Sequence, residues 1–260
     1  MARYAAGVEY IGTAYSGWQA LQGRTTVQAA LEHALSRVAD HPVYITAAGR
    51  TDAGVHGLQQ VMHFDTDAVR SDYAWLLGTN SNLPDDISLR WAQAVPLNFH
   101  ARHSAINRSY RYVIHNHRAR SALLLGRAAH WPRTLDATAM HEAAQALIGE
   151  HDFSSFRDSQ CQSPTPMRNV RRIDVFRRDD FVVLDIAGNA FLHHMVRNIT
   201  GTLVEVGLGK QPVAWVADVL AARDRTQAGM TAPAEGLYFV GPQYPAEFAL
   251  PKPPQPWFPA

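Results

Sequence analysis

The sequence predicts an α+β fold in two halves, each a mainly antiparallel sheet with helices, and three observations carry that expectation. Short segments alternate apolar and polar residues, and several follow one another through turns too short for a crossover helix. Between them lie segments whose apolar residues recur every three to four positions, the helical period. An apolar share of 47% beside 18% charged residues, over 260 residues, is that of a soluble chain with ample core. Every apolar run also falls short of the roughly 18 residues a membrane span needs.

Taken in order, residues 3–11 alternate with Tyr4, Ala6, Val8 and Tyr10 on one face, which predicts a half-buried strand. The stretch "YIGTAYSGWQALQGR" is a Gly/Ser-punctuated loop. Thr25 with Gln28 reads as a capping box ahead of a helix carrying Val27, Leu31, Ala34, Leu35 and Val38 at helical spacing. A short strand "VYITAA" and its partner "QQVMHF" flank a turn, a helix begins at Ser71, and "ISLRWAQAV" is a further strand. The second half opens near "INRSYRYVIH", another alternating strand, followed by a helix over roughly 136–148. "RDSQCQSPTPMRN" is a long polar loop. The strands "RRIDVFRR" and "FVVLDIAG" are joined by an Asp179-Asp180 hairpin turn. Helices are expected over 190–206 and 212–223, and "GLYFVG" is the last strand. The division is thus residues 1–104, residues 105–241, and an extended tail over 242–260 with seven prolines in nineteen residues.

One cysteine, Cys161, excludes an intrachain disulfide framework and suits a reducing compartment. The N-terminus lacks a secretory apolar region, so the cytoplasm is the default location. Net charge is only +1, and bulk charge does not announce a nucleic-acid partner. Its distribution says more. Arg102, Arg108, Arg111, Arg118, Arg120, Arg127 and Arg133 fall close together, with His100, His103, His115 and His117 among them. Interleaved with Tyr110, Tyr112 and Trp131, they suit a surface that tracks phosphates and stacks on bases. Lysine occurs only at Lys210 and Lys252, so the same run also fits a chain that uses arginine as its general cation.

Several familiar site patterns fail here. "GLGK" at 207–210 lacks the earlier glycine of a phosphate-binding loop, because position 204 is valine. No GxGxxG is present, and no His-x-x-x-His pair with a carboxylate offers a metal site. His193 and His194 are adjacent and would point in different directions on a helix. What survives is "GRTDAGVHG", in which Asp52 sits in a tight turn between apolar segments, with Arg50 before it and His56 after. An aspartate before Ala-Gly often does no more than accept backbone N–H groups. Near a cation, however, a partly buried carboxylate stays ionised, and such a group can serve as nucleophile or general base.

"AGRTDAGVHG", "YSGWQ", "NFHARHSAINRSYRYVI", "FRDSQCQS", "NAFLHHMVRNITGTLVEVG" and "GLYFVG" together resemble the tRNA pseudouridine synthase A family, from Tyr10 to about Gly241. The resemblance implies that Asp52 is the essential catalytic acid. It implies that Arg50 engages the RNA backbone and helps swing the target nucleotide out. Tyr110 is implied to stack on the uracil and to handle the C5 proton, Arg197 to pair with the catalytic aspartate, and Leu237 to form an apolar wall of the pocket. It further implies two α+β halves around a basic active-site cleft, a homodimer, and uridines 38, 39 and 40 of the tRNA anticodon stem-loop as substrate. Two positions depart from the family's pattern: His103 where phenylalanine is usual, and Ser109 where arginine is common.

On the residues alone, Tyr110 also fits a core strand tyrosine, and Arg197 a solvated cation on a helix face. In a helix from 190, Leu192, Met195, Val196, Ile199 and Leu203 form the apolar side, while His193, Arg197 and Gly201 lie four apart on another stripe. The implied reaction breaks the N1–C1′ bond of uridine, rotates the base and joins C1′ to C5. It gains and loses no electrons overall, so neither a redox cofactor nor a metal is expected. Two other functions use part of the same inventory. A protein that only binds RNA would need the arginines and aromatics but not Asp52, and a nucleoside hydrolase would need the carboxylate but not the tRNA.

Overall fold

The computed structural model describes residues 1–254, and residues 255–260 of the Pro-rich tail lie outside the described residues. The fold is α+β, in two compact units. Among the described residues, the first comprises Met1–Asn107 together with 238–254, and the second Arg108–Leu237.

The first unit contains β1 (Ala2–Tyr10), α1 (Val27–Ala39), β2 (Thr46–Ala47), β3 (His56–Thr66), α2 (Asp72–Asn80) and β4 (Ile87–Val95). β1 runs antiparallel between β3 and β4, with Tyr4 opposite Phe64 on one side and Ala94 on the other. β2 pairs with β3 through Thr46 opposite His63 and Ala47 opposite Met62. Ser71 caps α2 by accepting the Ala74 N–H. Helix α1 starts without the expected Thr25–Gln28 box, because extended Thr26 is the N-cap. The first two helical N–H groups, of Val27 and Gln28, are taken instead by the carbonyls of Gly17 and Trp18. Gln28 accepts from the Ala20 N–H and donates to Glu32.

β1 is buried on both faces rather than one. Tyr4, Ala6, Val8 and Tyr10 pack with Leu31, Leu35, Met62, Phe64 and Trp75, residues that come from both helices and from β3. Ala5 on the opposite face packs with Val61, Val95, Phe99, Ala101 and Phe248. Phe248 belongs to the proline-rich segment that the sequence reads as a tail. Its burial, and the bond from Gln59 Nε2 to the Pro251 carbonyl at 3.1 Å, fasten residues 244–251 to this unit.

The second unit contains β5 (Asn107–His115), β6 (Ala129–His130), α3 (Ala137–Ala144), β7 (Gly149–Asp152), β8 (Met167–Arg178), β9 (Phe181–Gly188), α4 (Met195–Gly207) and α5 (Trp215–Ala222). β5, β9, β8 and β7 form an antiparallel run in that order, and β6 adds in parallel to β5. Asp179, at φ 49°, makes the β8–β9 hairpin, with Arg178 opposite Phe181. α3 begins after Asp136, whose carboxylate accepts from Thr138 and Ala139, and it tightens into a 3₁₀ turn over Gln145–Leu147. α4 starts at Met195 rather than 190. His194 takes a left-handed conformation at φ 59°, which a right-handed helix does not accommodate. α5 likewise begins late, at Trp215, whose N–H bonds the Pro212 carbonyl. β10 (Leu237–Gln243), which the sequence groups with the second half, pairs parallel to β3 with Tyr238 opposite His56.

One buried histidine makes the fold acid-sensitive. His63 is 6% exposed on β3, and its Nδ1 accepts the Ala101 N–H at 3.2 Å. Burial first, then the charges of Arg3 and His100, push its pKa down from 6.5 to about 4, against a smaller upward pull from Asp65. The unfolded chain therefore binds a proton that the folded chain refuses. Stability from this residue is fully present above pH 6.5, falls as pH drops toward 4, and levels off below. Between pH 7 and pH 5 the loss comes to about 2 kcal/mol. Urea unfolding at those two pH values should show that difference shrinking in His63→Gln, and an unchanged difference would assign the acid sensitivity to other groups.

Candidate active site

The Asp52 loop spans residues 48–55, between β2 and β3, and bonds from both neighbouring segments hold it. The Ala48 N–H donates to the Val61 carbonyl at 2.8 Å, and Gln60 Nε2 donates to the Gly49 carbonyl at 2.8 Å. On the other side the Trp18 N–H donates to the Thr51 carbonyl at 2.9 Å, and the Tyr10 hydroxyl meets Thr51 Oγ1 at 2.8 Å. The turn closes through the Val55 N–H on the Asp52 carbonyl at 3.2 Å. Gly12 lies so close that a Cβ there would sit 1.9 Å from the Val55 oxygen. Its N–H donates to His56 Nδ1 at 3.1 Å, which makes that ring nitrogen an acceptor and leaves the proton on Nε2. The His56 ring stacks on Tyr238, with centroids 4.6 Å apart. Thr51, just before Asp52, is thus fixed by Trp18 and Tyr10, and beyond Asp52 its own carbonyl takes the Val55 N–H while His56 is held by Gly12. The carboxylate is half-buried and Arg50 is exposed.

Tyr110, Arg197 and Leu237 belong to the second unit. Tyr110 lies on β5 opposite Ile186, half-buried, with its ring meeting Phe191 edge-on at 5.1 Å. The core tyrosine of this strand is Tyr112 instead, fully buried with its hydroxyl donating to the Pro233 carbonyl at 2.7 Å. Burial, then the charge of Glu235, pushes the Tyr112 phenol well above its usual pKa, while Arg197 pulls the other way. Arg197 is half-buried and no solvated helix-face cation. Its Nε donates to the Ala232 carbonyl at 2.8 Å, and its own carbonyl accepts the Ala232 N–H at 3.1 Å. Leu237 is buried at the start of β10.

A model of the tRNA pseudouridine synthase family matches residues 6–104 and 143–245, stretches that hold Arg50, Asp52, Arg197 and Leu237. The chain belongs to the tRNA pseudouridine synthase family. It is 57% identical over 252 residues to a tRNA pseudouridine synthase A of Cronobacter sakazakii, covering 97% of this chain and 93% of that one. To the protein of the same name from Aeromonas hydrophila it is 59% identical over 252 residues, covering 97% and 94%. Among solved structures, the archaeal box H/ACA sRNP Nop10-Cbf5 complex aligns with 86% of this chain and 59% of that one. At 11% identity and a TM-score of 0.37, that likeness is too slight to locate any residue.

In this synthase the run of basic residues divides. Arg111 leaves the surface, because its Nε and Nη2 grip the Asp185 carboxylate at 2.7 and 2.8 Å, and Tyr112 and His115 are buried with it. Arg118, Arg120, Arg127 and Arg133 are exposed around the connection from β5 to β6. "GLGK" is a helix end. α4 stops at Gly207, Gly209 turns with φ 68°, and Lys210 pairs with Glu205 at 2.9 Å, so carbonyls rather than N–H groups converge there.

The two adjacent histidines lie ahead of α4, not on it, and their rings stack with centroids 4.0 Å apart. His194 Nδ1 bonds Asp158 Oδ2 at 2.8 Å, and His193 Nδ1 lies 3.4 Å from Oδ1. Burial raises the Asp158 pKa, but the Gln160 N–H and His194 outweigh it and hold the carboxyl below its ordinary value. In the sequence Asp158 carries no spacing signal toward residues more than thirty positions on.

Proposed function

We propose that the protein isomerises uridine to pseudouridine at positions 38, 39 and 40 of the tRNA anticodon stem-loop, with Asp52 acting on the ribose of a flipped-out uridine. One observation supports this most: Asp52 is half-buried on a loop held through Thr51 just before it and through its own carbonyl, which takes the Val55 N–H. Such a group reaches the sugar without first being ordered, and preorganisation of this kind lowers barriers. It either attacks C1′ or removes the C2′ proton. The glycosidic bond to N1 then breaks, the freed uracil turns, C5 joins C1′, and the proton lost from C5 is balanced by one gained at N1. The reaction calls for neither an electron carrier nor a metal.

Arg50, exposed beside Asp52, contacts a phosphate and helps hold the nucleotide out of its stack, which costs a few kcal/mol. Tyr110 stacks on the uracil, Arg197 supplies the positive charge, and Leu237 forms an apolar wall. The protein acts as a homodimer in the cytoplasm. Among the described residues, no helix is long and apolar enough to cross a membrane.

Incubation with tRNA carrying C5-tritiated uridine tests the reading. Tritium release marks isomerisation, free uracil marks hydrolysis, and the absence of both would reduce the protein to a binder. Binding should weaken as salt rises, because phosphate contacts release counterions. Arg50→Ala should flatten the slope of log affinity against log salt by about one. A slope equal to that of the wild type would make Arg50 a residue of local structure.

A further inference from the structure

Next to Arg197 on α4 stands Asn198, which is 0% exposed and has both its side-chain oxygen and its side-chain nitrogen hydrogen-bonded. Its Nδ2 donates to the Phe156 carbonyl at 2.9 Å. Its Oδ1 accepts from Thr231 Oγ1 at 2.7 Å and from Arg225 Nη2 at 3.1 Å. The same Arg225 nitrogen donates to Thr231 Oγ1 at 3.1 Å, and Nη1 donates to the Gly229 carbonyl at 2.9 Å. The Gly229 N–H in turn bonds Thr202 Oγ1 at 3.0 Å. Residues 229–232 are thereby drawn onto the backbone of α4. Contact is so close that a Cβ on Gly201 would lie 1.7 Å from the Met230 oxygen. This segment ends at Ala232, whose carbonyl takes the Arg197 Nε–H and whose N–H takes the Arg197 carbonyl.

A guanidinium is planar, so a fixed acceptor at Nε sets the direction of its two remaining nitrogens. We infer that Asn198, Thr231 and Arg225 form a positioning node that aims Arg197 through the Ala232 carbonyl. Asn198 is buried in the unit's interior, bonded to Phe156, Thr231 and Arg225. Thr231 supplies the hydroxyl that ties the segment's last turn to α4. Buried polar networks of this kind specify one arrangement when fully satisfied. The bonds restrain the one segment whose carbonyl orients the arginine. The inference rests on the proposed role of Arg197 in the reaction, and its test separates the two.

Thr231→Val keeps the shape and removes both hydroxyl bonds, whereas Thr231→Ser keeps them. The expected result is a kcat for pseudouridine formation about tenfold lower in the valine variant, since misplacement on the ångström scale costs that much or more. The Kd for tRNA should stay within about twofold of wild type, and serine should behave as wild type. Arg225→Lys keeps the charge and loses the fork that bridges Asn198 and Gly229, so it should reproduce the valine effect even if valine lowers the folded yield. The deciding measurement is the same substitution in Arg197→Lys, which has no Nε–H for Ala232. There Thr231→Val should cause no further loss. An equal loss in both backgrounds, or a valine variant with wild-type kcat, would overturn the positioning role. Arg197→Lys with wild-type kcat would instead remove Arg197 from the reaction.

Discussion

Asp52→Asn is expected to yield no detectable pseudouridine while binding tRNA within about threefold of wild type, a shift of about 0.7 kcal/mol. Asparagine keeps the size and can accept the same turn contacts, so the loop should survive. The bonds that hold it run through Thr51, Val55, Gly49 and His56, none of which the substitution touches. What disappears is the negative charge and the nucleophilic or basic oxygen. On the proposed reading, binding draws on exposed arginines and aromatic stacking, which remain. Liquid chromatography of digested tRNA gives the first quantity, and filter binding at fixed salt the second. Mass spectrometry of the variant must exclude deamidation back to aspartate. Turnover by the verified variant would end the carboxylate mechanism. A loss of affinity as large as the loss of product would instead make Asp52 a residue that shapes the binding surface.

What the sequence made legible were features written locally. The strands β4 and β5, the hairpin at Asp179-Asp180, the Ser71 cap and the contiguous Asp52 motif each lie within a dozen residues. What it hid was written by distant partners. Arg111 reads as one more surface cation until Asp185, 74 residues on, takes its guanidinium. β1 reads as half-buried because Phe248, which covers its second face, arrives at the far end of the chain. His194 gives no local sign of its left-handed backbone, so the sequence pattern begins the helix several residues early. The candidate site shows the same division. Asp52 stands out in its motif, but the grip on its loop comes from Tyr10, Gly12 and Trp18, and the Tyr10 bond to Thr51 spans 41 residues.

That grip leads to the second large effect, expected for Gly12→Ala. The new methyl carbon would lie 1.9 Å from the Val55 oxygen and 2.6 Å from its carbonyl carbon. Both are backbone atoms, so no side chain can rotate away, and the two segments must part by more than 1 Å to reach ordinary van der Waals contact. Parting them strains the Gly12–His56 bond and moves Val55, whose N–H closes the turn on Asp52. Overpacking of this sort costs about 1–3 kcal/mol of stability. The larger effect is on turnover, which should fall about a hundredfold, the scale reached when a catalytic group is misplaced by an ångström. Gly49→Ala is the matched control, three residues before Asp52 in the same loop. A Cβ there meets nothing within 4 Å, so stability should stay within about 0.5 kcal/mol of wild type and turnover should be unchanged. Thermal unfolding and single-turnover kinetics on the two variants decide the matter. Wild-type turnover in Gly12→Ala would show that the loop tolerates displacement and that the fixed geometry of Asp52 is not what the reaction depends on. Equal losses in both variants would point to glycine's backbone freedom rather than to the close approach at Val55.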